Sequence, residues 1–320
     1  MNELNKFLSA KSNNKIVVMS IATGAYAFCL YVSILSLIKN SPKLSKFADI
    51  LLLVKDIPDC DKKALKSLGY NVNVVDFDLP VSIENAPAVK RFTAATFFRY
   101  ECFNLLDKYD KALLFDSDIL VQKELLNIFD LLKSGIGMVP EKVNISNFSE
   151  KIYDIELPHP GFNAGVIAID NRLTAGKEIA KFCYEMTDKY AEHLQHADQG
   201  VINWSCAKFK LDVTKLPNIY NMPASSSRDI LNGAAIIHTT GHRKFWNYYY
   251  FDEWYKYYEQ WIGAGGTPCF AARNDSPKYA NFIKKHTLDK KVFFHLCPDF
   301  FKNPIKALRF TLKYLMKIKY

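Results

Sequence analysis

From 16 to 38 the chain runs 23 residues without a charge. A run of that length allows two outcomes, a helix across a bilayer or a buried strand followed by a buried helix. The residue order favours the second. Ile16-Val17-Val18-Met19-Ser20-Ile21 is rich in β-formers, Thr23-Gly24 interrupts it, and 25–38 reads as a helix, apolar nearly all round, carrying Ser33 and Ser36. The preceding residues 1–14 are polar, include Lys6 and Lys11, and hold no apolar core of a signal peptide.

The same alternation continues. Strands are expected at 50–54, 72–75, 112–115, 137–139, 161–170 and 234–238. Helices are expected at 59–68 (closed by Gly69), 94–106, 124–132, 176–190, 198–207 and 248–261. Strands alternating with helices predict an α/β fold, a Rossmann-like, mostly parallel sheet flanked by helices, with ligands outside the strands' carboxyl ends. With 320 residues, 49% of them hydrophobic, the chain can bury one large core or two closely packed ones. The polar stretch 141–160 is long enough for a lid or an acceptor loop.

One strand end carries Leu113-Leu114-Phe115-Asp116-Ser117-Asp118-Ile119. Residues i and i+2 of a strand share a face, so the two carboxylates would point the same way and repel unless a cation lies between them. A hard divalent ion held by few protein oxygens, with phosphate supplying the rest, suits that position. The motif therefore predicts a metal–diphosphate anchor. The seven cysteines are odd in number, widely spread and without a C-x-x-C pair, which argues against a disulfide framework or a zinc site and fits a reducing compartment. Asn144, Asn147 and Asn203 begin glycosylation sequons, which matter only in a secreted chain.

Three further clusters fall at strand or loop ends: Phe162-Asn163-Ala164-Gly165, Ala197-Asp198-Gln199-Gly200, and His238 to Trp246. Singly, each has an ordinary explanation: a turn, a helix N-cap, an exposed imidazole. Their order is more specific. D-x-D, F-N-A-G-V, D-Q-G-x-x-N and H-x-x-G-x-x-K-x-W together resemble the retaining glycosyltransferases of family 8, which include glycogenin and bacterial lipopolysaccharide galactosyl- and glucosyltransferases. The resemblance extends from about Val17 to Trp246.

It implies a GT-A fold, a nucleotide-binding sheet fused to an acceptor region. By resemblance, Asp116 and Asp118 bind Mn²⁺ (Mg²⁺ as second choice) with His238 as third ligand, and Ser117 joins them at the donor site. Lys244 and Gly241 meet the diphosphate. Asn163, Asp198 and Gln199 surround the donor sugar, Gln199 on the face where a retaining nucleophile would act. Arg99 reaches the sugar or phosphate, with Arg91 a weaker candidate. Ala22, Thr23 and Tyr26 hold uracil and ribose. The sequence departs from the family pattern in two places: the loop Ile21–Tyr26 has no acidic residue, and Phe245 replaces a common proline. Beside the resemblance stands a chemical reason. Departure of a nucleoside diphosphate leaves negative charge, which a divalent ion and Lys244 would stabilise as it forms, while Asp198 and Gln199 would support an oxocarbenium-like carbon.

The tail 300–320 holds six basic residues and no acidic one, leaving +3 of the net +9 for the rest of the chain. On a helix starting at Pro304, the cations Lys302, Lys306, Arg309, Lys313 and Lys317 fall within a sector of about 80°. Phe301, Ile305, Leu308, Leu312 and Leu315 occupy a neighbouring sector roughly 110° away. This basic amphipathic helical tail suits an anionic membrane surface, or else packs on the domain with solvated charges. Nucleic acid is not expected, because no stacking surface is interleaved with the cations. The aromatic run 248–261 is a core face or a stacking surface for an acceptor sugar, and Gly263-Ala264-Gly265-Gly266 reads as a flexible hinge.

The expected organisation is a GT-A domain over 1–262 (nucleotide-sugar half about 1–135, acceptor half about 136–262), an irregular linker 263–299, and the tail. The expected activity is transfer of glucose or galactose from a UDP-hexose to a glycan or glycolipid of the cell envelope such as lipopolysaccharide, by an enzyme in the cytoplasm, peripheral on the membrane's cytoplasmic face. Self-glycosylation of glycogenin type and a silent sugar-nucleotide-binding module are the alternatives.

Overall fold

A computed structural model describes residues 3–81, 83, 93–141, 161–194, 197–241, 243–246, 248–249 and 251–269. The uncharged run divides as expected, into strand β1 (Ile16–Thr23) and a helix, Ala27–Asn40. That helix is buried from Ala27 to Leu37, one side against the sheet and the other against the helix Asp252–Gly263. It tolerates two serines because both are satisfied. Ser33 donates to Leu30 O at 3.0 Å, and Ser36 donates to Ser33 O at 2.7 Å while accepting Val121 N–H at 3.0 Å. No helix among the described residues is long and apolar enough to cross a membrane.

The remaining strands among the described residues are β2 (Ala48–Lys55), β3 (Val72–Asp76), β4 (Lys111–Phe115), β5 (Ile119–Val121), β6 (Ile136–Pro140), β7 (Phe162–Asp170), β8 (Thr214–Lys215), β9 (Met222–Pro223) and β10 (Ile236–His238). Seven form one sheet in the order β3-β2-β1-β4-β7-β6-β8, and β5-β10-β9 form a second. In the large sheet only β7 runs against the others, pairing antiparallel with both β4 and β6. The order reverses between β1 and β4, so their carboxyl ends flank a crevice open to a ligand. Because β7 is reversed, its amino end arrives at that same edge.

Several local expectations change, among them the helix expected at 124–132, which is the 3₁₀ helix Leu126–Leu131. Asp116-Ser117-Asp118 is a turn, not part of a strand, because β5 leaves the large sheet to pair antiparallel with β10, Ile119 opposite His238. The carboxylates converge through that turn rather than through strand alternation. Residues 94–106 are mostly 3₁₀ helix (Ala94–Tyr100 and Leu105–Asp107 around a short α-helix, Glu101–Asn104). A 3₁₀ turn eclipses i and i+3, which sets Thr96 over Arg99 on one line. The glycine run after the helix Asp252–Gly263 is pinned: Gly265, at φ +84°, donates to Ile262 O at 3.0 Å, and Gly266 N–H reaches Trp261 O at 3.0 Å. Thr267 is then held by the Asp61 carboxylate (2.7 Å) and by Trp261 Nε1–H (2.8 Å).

The aromatic run is core where it is helical. Trp254, Tyr255, Tyr258 and Trp261 are buried. Trp254 stacks on Tyr258 (centroids 5.4 Å apart) and meets Phe28 edge-on at 6.2 Å. The six described cysteines are free. Asn203 is fully buried in the helix Ala197–Lys208, so its sequon has no access to modification. The tail 300–320, the segment 142–160 and Arg91 lie outside the described residues.

Candidate active site

The β4–β5 turn delivers Asp116 and Asp118, and β10 delivers His238 across from Ile119. Ligand atoms of all three lie within 4.8 Å of one another. His238 Nε2 is 3.5 Å from Asp116 Oδ2 and 3.2 Å from Asp118 Oδ1. Lys244 Nζ contacts Asp118 Oδ2 and donates to Thr239 O at 2.6 Å. The turn is braced from below, where Ser20 Oγ donates to Phe115 O at 2.9 Å and Thr239 Oγ1 to Asp118 O, also at 2.9 Å. Gly165 leaves room for the imidazole, since a Cβ there would lie 2.5 Å from His238 Cε1. Two carboxylate oxygens and one imidazole nitrogen at this spacing could hold a divalent ion of the manganese type.

Burial pushes the Asp116 carboxyl up, and Asp118 adds to this against the pull of Arg99 and His238. Burial would also raise Asp118, but Lys244 and His238 hold it well below the usual carboxylate range.

Arg99, only 7% exposed, joins this corner to the helix Ala197–Lys208. Its Nη2 reaches Asp116 Oδ1 at 2.8 Å, Nη1 donates to Ala164 O at 2.8 Å, and Nε donates to Thr96 O at 3.0 Å. Asp198 Oδ2 lies 2.7 Å from Arg99 Nε but accepts no hydrogen bond, because the Nε–H is directed at Thr96 O. Thr96 Oγ1 occupies Asp198 Oδ1. Burial pushes Asp198 up to about 6 although Arg99 opposes it. Gln199 Oε1 accepts Ala164 N–H at 3.2 Å, and Asn163 Oδ1 accepts Gly165 N–H at 2.8 Å.

Every site residue read from the sequence that falls among the described residues lines one cleft of about 340 Å³. Ala22, Thr23 and Tyr26 form one end, where Tyr26 lies edge-on to Trp246 with centroids 6.3 Å apart. Ser117 sits between the two aspartates on the wall. Gly241, at φ +72° with nothing within 4 Å of a built Cβ, gives backbone that a ligand can approach closely.

No role was read from the sequence for Thr96, Trp246, Glu141, Asn203 or Asn221, although Trp246 closes the H-x-x-G-x-x-K-x-W motif. Asn203 mimics a strand partner for the start of β7, accepting Phe162 N–H at 2.8 Å and donating to Phe162 O at 2.9 Å. It closes the D-Q-G-x-x-N motif, which could have revealed it. Asn221 belongs to no motif read from the sequence.

The sheet, its switch point and the position of this cleft define the GT-A fold. Among solved structures the chain is similar to the bifunctional glycosyltransferase WbbM (TM-score 0.61, 20% identity, 86% of this chain and 53% of that one). It is also similar to the galactosyltransferase LgtC solved with donor and acceptor sugar analogs (TM-score 0.56, 20% identity, 78% of this chain and 99% of that one). The profile of Glycosyl transferase family 8 matches residues 17–249, and the chain belongs to that family. A Haemophilus influenzae protein described as a glycosyltransferase is 24% identical over 238 residues, 69% of this chain and 70% of its own length. Streptococcus pneumoniae GlyF is 25% identical over 252 residues, 73% of this chain but 58% of GlyF, and the match to GlyB spans 31% of that protein.

Proposed function

We propose that this glycosyltransferase moves a hexose, glucose or galactose, from a UDP-sugar to an acceptor hydroxyl with retention at the anomeric carbon, using Mn²⁺. The convergence of Asp116, Asp118 and His238 beside Lys244 carries this reading. When bound, the ion would neutralise diphosphate charge as the glycosyl C–O bond breaks. Lys244, freed from Asp118, would add a second positive charge at the leaving group. Arg99, ion-paired with Asp116 at 2.8 Å and with Asp198 at 2.7 Å, would hold the two carboxylates apart at fixed distance beside the sugar. Gln199 and Asn163 would face the sugar. An amide is a poor nucleophile, which favours attack by the acceptor from the same face over a covalent intermediate. Ala22, Thr23 and Tyr26 would take the base and ribose, with Ser117 and Gly241 along the nucleotide.

The acceptor we favour is a cell-envelope glycan or glycolipid, approached from the cytoplasmic side by an enzyme resting on anionic lipid through 300–320. Its support is the sequence segregation of lysines and leucines in the tail. The domain limits 1–262, 263–299 and 300–320 belong to the same proposal. The test incubates the protein with UDP-glucose and UDP-galactose plus Mn²⁺ and measures UDP. Release with one of them, lost in Asp118→Ala, is expected; no release with either would refute the reading. Stepwise hexose gain in the protein's intact mass would instead favour the self-glycosylating alternative.

A further inference from the structure

The metal reading above leaves one feature of His238 to be explained, the choice of which ring nitrogen carries the proton. Asn221, buried at 7% exposure, ends the 3₁₀ turn Asn218–Asn221 and stands behind His238, outside the cleft wall. Its Oδ1 lies 2.8 Å from His238 Nδ1, and its Nδ2 donates to Asn163 Oδ1 at 2.7 Å.

The direction of this chain is dictated by its far end. Asn163 Oδ1 accepts the backbone N–H of Gly165 at 2.8 Å, which only an oxygen can do. Asn163 Nδ2 faces Glu141 Oε1 at 2.6 Å, and an ionised carboxylate only accepts. Asn221 must therefore turn its NH₂ to Asn163 and its oxygen to His238. An amide oxygen cannot donate, so Nδ1 bears the hydrogen, and in the neutral ring Nε2 presents its lone pair toward the space between Asp116 and Asp118.

We infer that Asn221 is a positioning residue that holds His238 in the Nδ1–H tautomer, the form able to ligate a divalent cation through Nε2. The same amide ties that ligand to Asn163 at the sugar end of the cleft. A partner on the outer nitrogen of a ligating histidine typically contributes about 10–100-fold in metal affinity.

The test titrates Mn²⁺ into the full chain by electron paramagnetic resonance. Asn221→Leu should weaken binding by about 10–100-fold with little change in thermal midpoint. Asn221→Asp keeps an acceptor for Nδ1–H and should bind near the wild-type Kd. It loses the donor to Asn163, so its KM for the UDP-sugar should rise while its Mn²⁺ affinity does not. A merely structural role would not produce that split. An Asn221→Leu protein that binds like wild type, or an Asn221→Asp protein as weak as Asn221→Leu, would overturn the inference. Should the leucine variant fail to fold, ¹⁵N NMR of the Zn²⁺-loaded wild type decides: His238 protonated on Nδ1 supports the inference and on Nε2 refutes it. Wild-type protein that binds no Mn²⁺ would defeat the metal reading itself, which is a separate outcome.

Discussion

Two acidic sites lie within nine residues of each other and are built on opposite principles. Glu124 is surrounded by donors: Oε1 accepts Ser41 Oγ at 2.6 Å and the N–H groups of Leu44, Leu125 and Leu126 at 3.2, 3.1 and 3.0 Å, and Oε2 accepts Lys43 N–H at 2.9 Å. It joins the loop entering the helix Pro42–Phe47 to the 3₁₀ helix Leu126–Leu131. Asp116 and Asp118 instead face each other and His238, and each is also held by a protein cation. Glu124 is satisfied by four backbone N–H groups and the Ser41 hydroxyl, a cage that stays in place. The carboxylates of the aspartate pair are satisfied by side chains, Asp116 by a fixed arginine and Asp118 by a partly exposed lysine that can swing away, which suits a site proposed to admit a cation and later release it.

The contrast is broken most severely at Arg99. Arg99→Leu leaves Asp116 and Asp198 buried without their cation and should cost about 3–5 kcal/mol in urea unfolding. A neutral or stabilising result would mean that the acidic corner is not under electrostatic load. Lys244→Met should lower kcat by about 10²–10³-fold, as for loss of one preorganised donor at developing charge. In the absence of UDP-sugar, calorimetry should show it binding Mn²⁺ more tightly than wild type, because Lys244 no longer competes for Asp118. Unchanged affinity would show that the lysine and the ion do not share that carboxylate.

The smallest effect is expected at Glu124, where Glu124→Gln should cost about 1–2 kcal/mol and leave activity intact. Burial opposes ionisation there, but Ser41 and the backbone N–H groups of Leu126, Lys43 and Leu44 outweigh it and hold the carboxyl below its ordinary value. Its contribution is therefore complete above the unfolded glutamate pKa, about 4.3, and is lost as pH falls through the lower folded value. The stability curves of wild type and Glu124→Gln should separate at pH 7 and converge in acid. Parallel curves would remove Glu124 as the satisfied member of the comparison.

Much of the site was legible because it is written in short segments. Asp116-Ser117-Asp118, Asn163, Asp198-Gln199 and the run from His238 to Lys244 each sit at the end of a strand or the start of a helix, and all line one cleft. The reversal of β7 was not legible. A strand of nine residues, eight of them buried, has the same apolar pattern in either direction, and only its pairing with β4 and β6 decides. Thr96 was missed because 94–106 was expected as α-helix, where i and i+3 are offset rather than eclipsed. Asn221 was missed because its two partners lie 17 and 58 residues away.

By itself the sequence determined that the uncharged run is a strand and a buried helix, that strands and helices alternate, and that a paired-carboxylate motif follows a strand. Those are local matters of periodicity, turn residues and charge spacing. Only the tertiary structure decided that β5 leaves the sheet to face His238, that β7 returns Asn163 to the edge where β4 ends, and that an asparagine from a distant turn selects the imidazole nitrogen turned toward the aspartates. Those outcomes depend on hydrogen bonds between backbone and side chains far apart in sequence, and such pairings exist only once the chain has closed on itself.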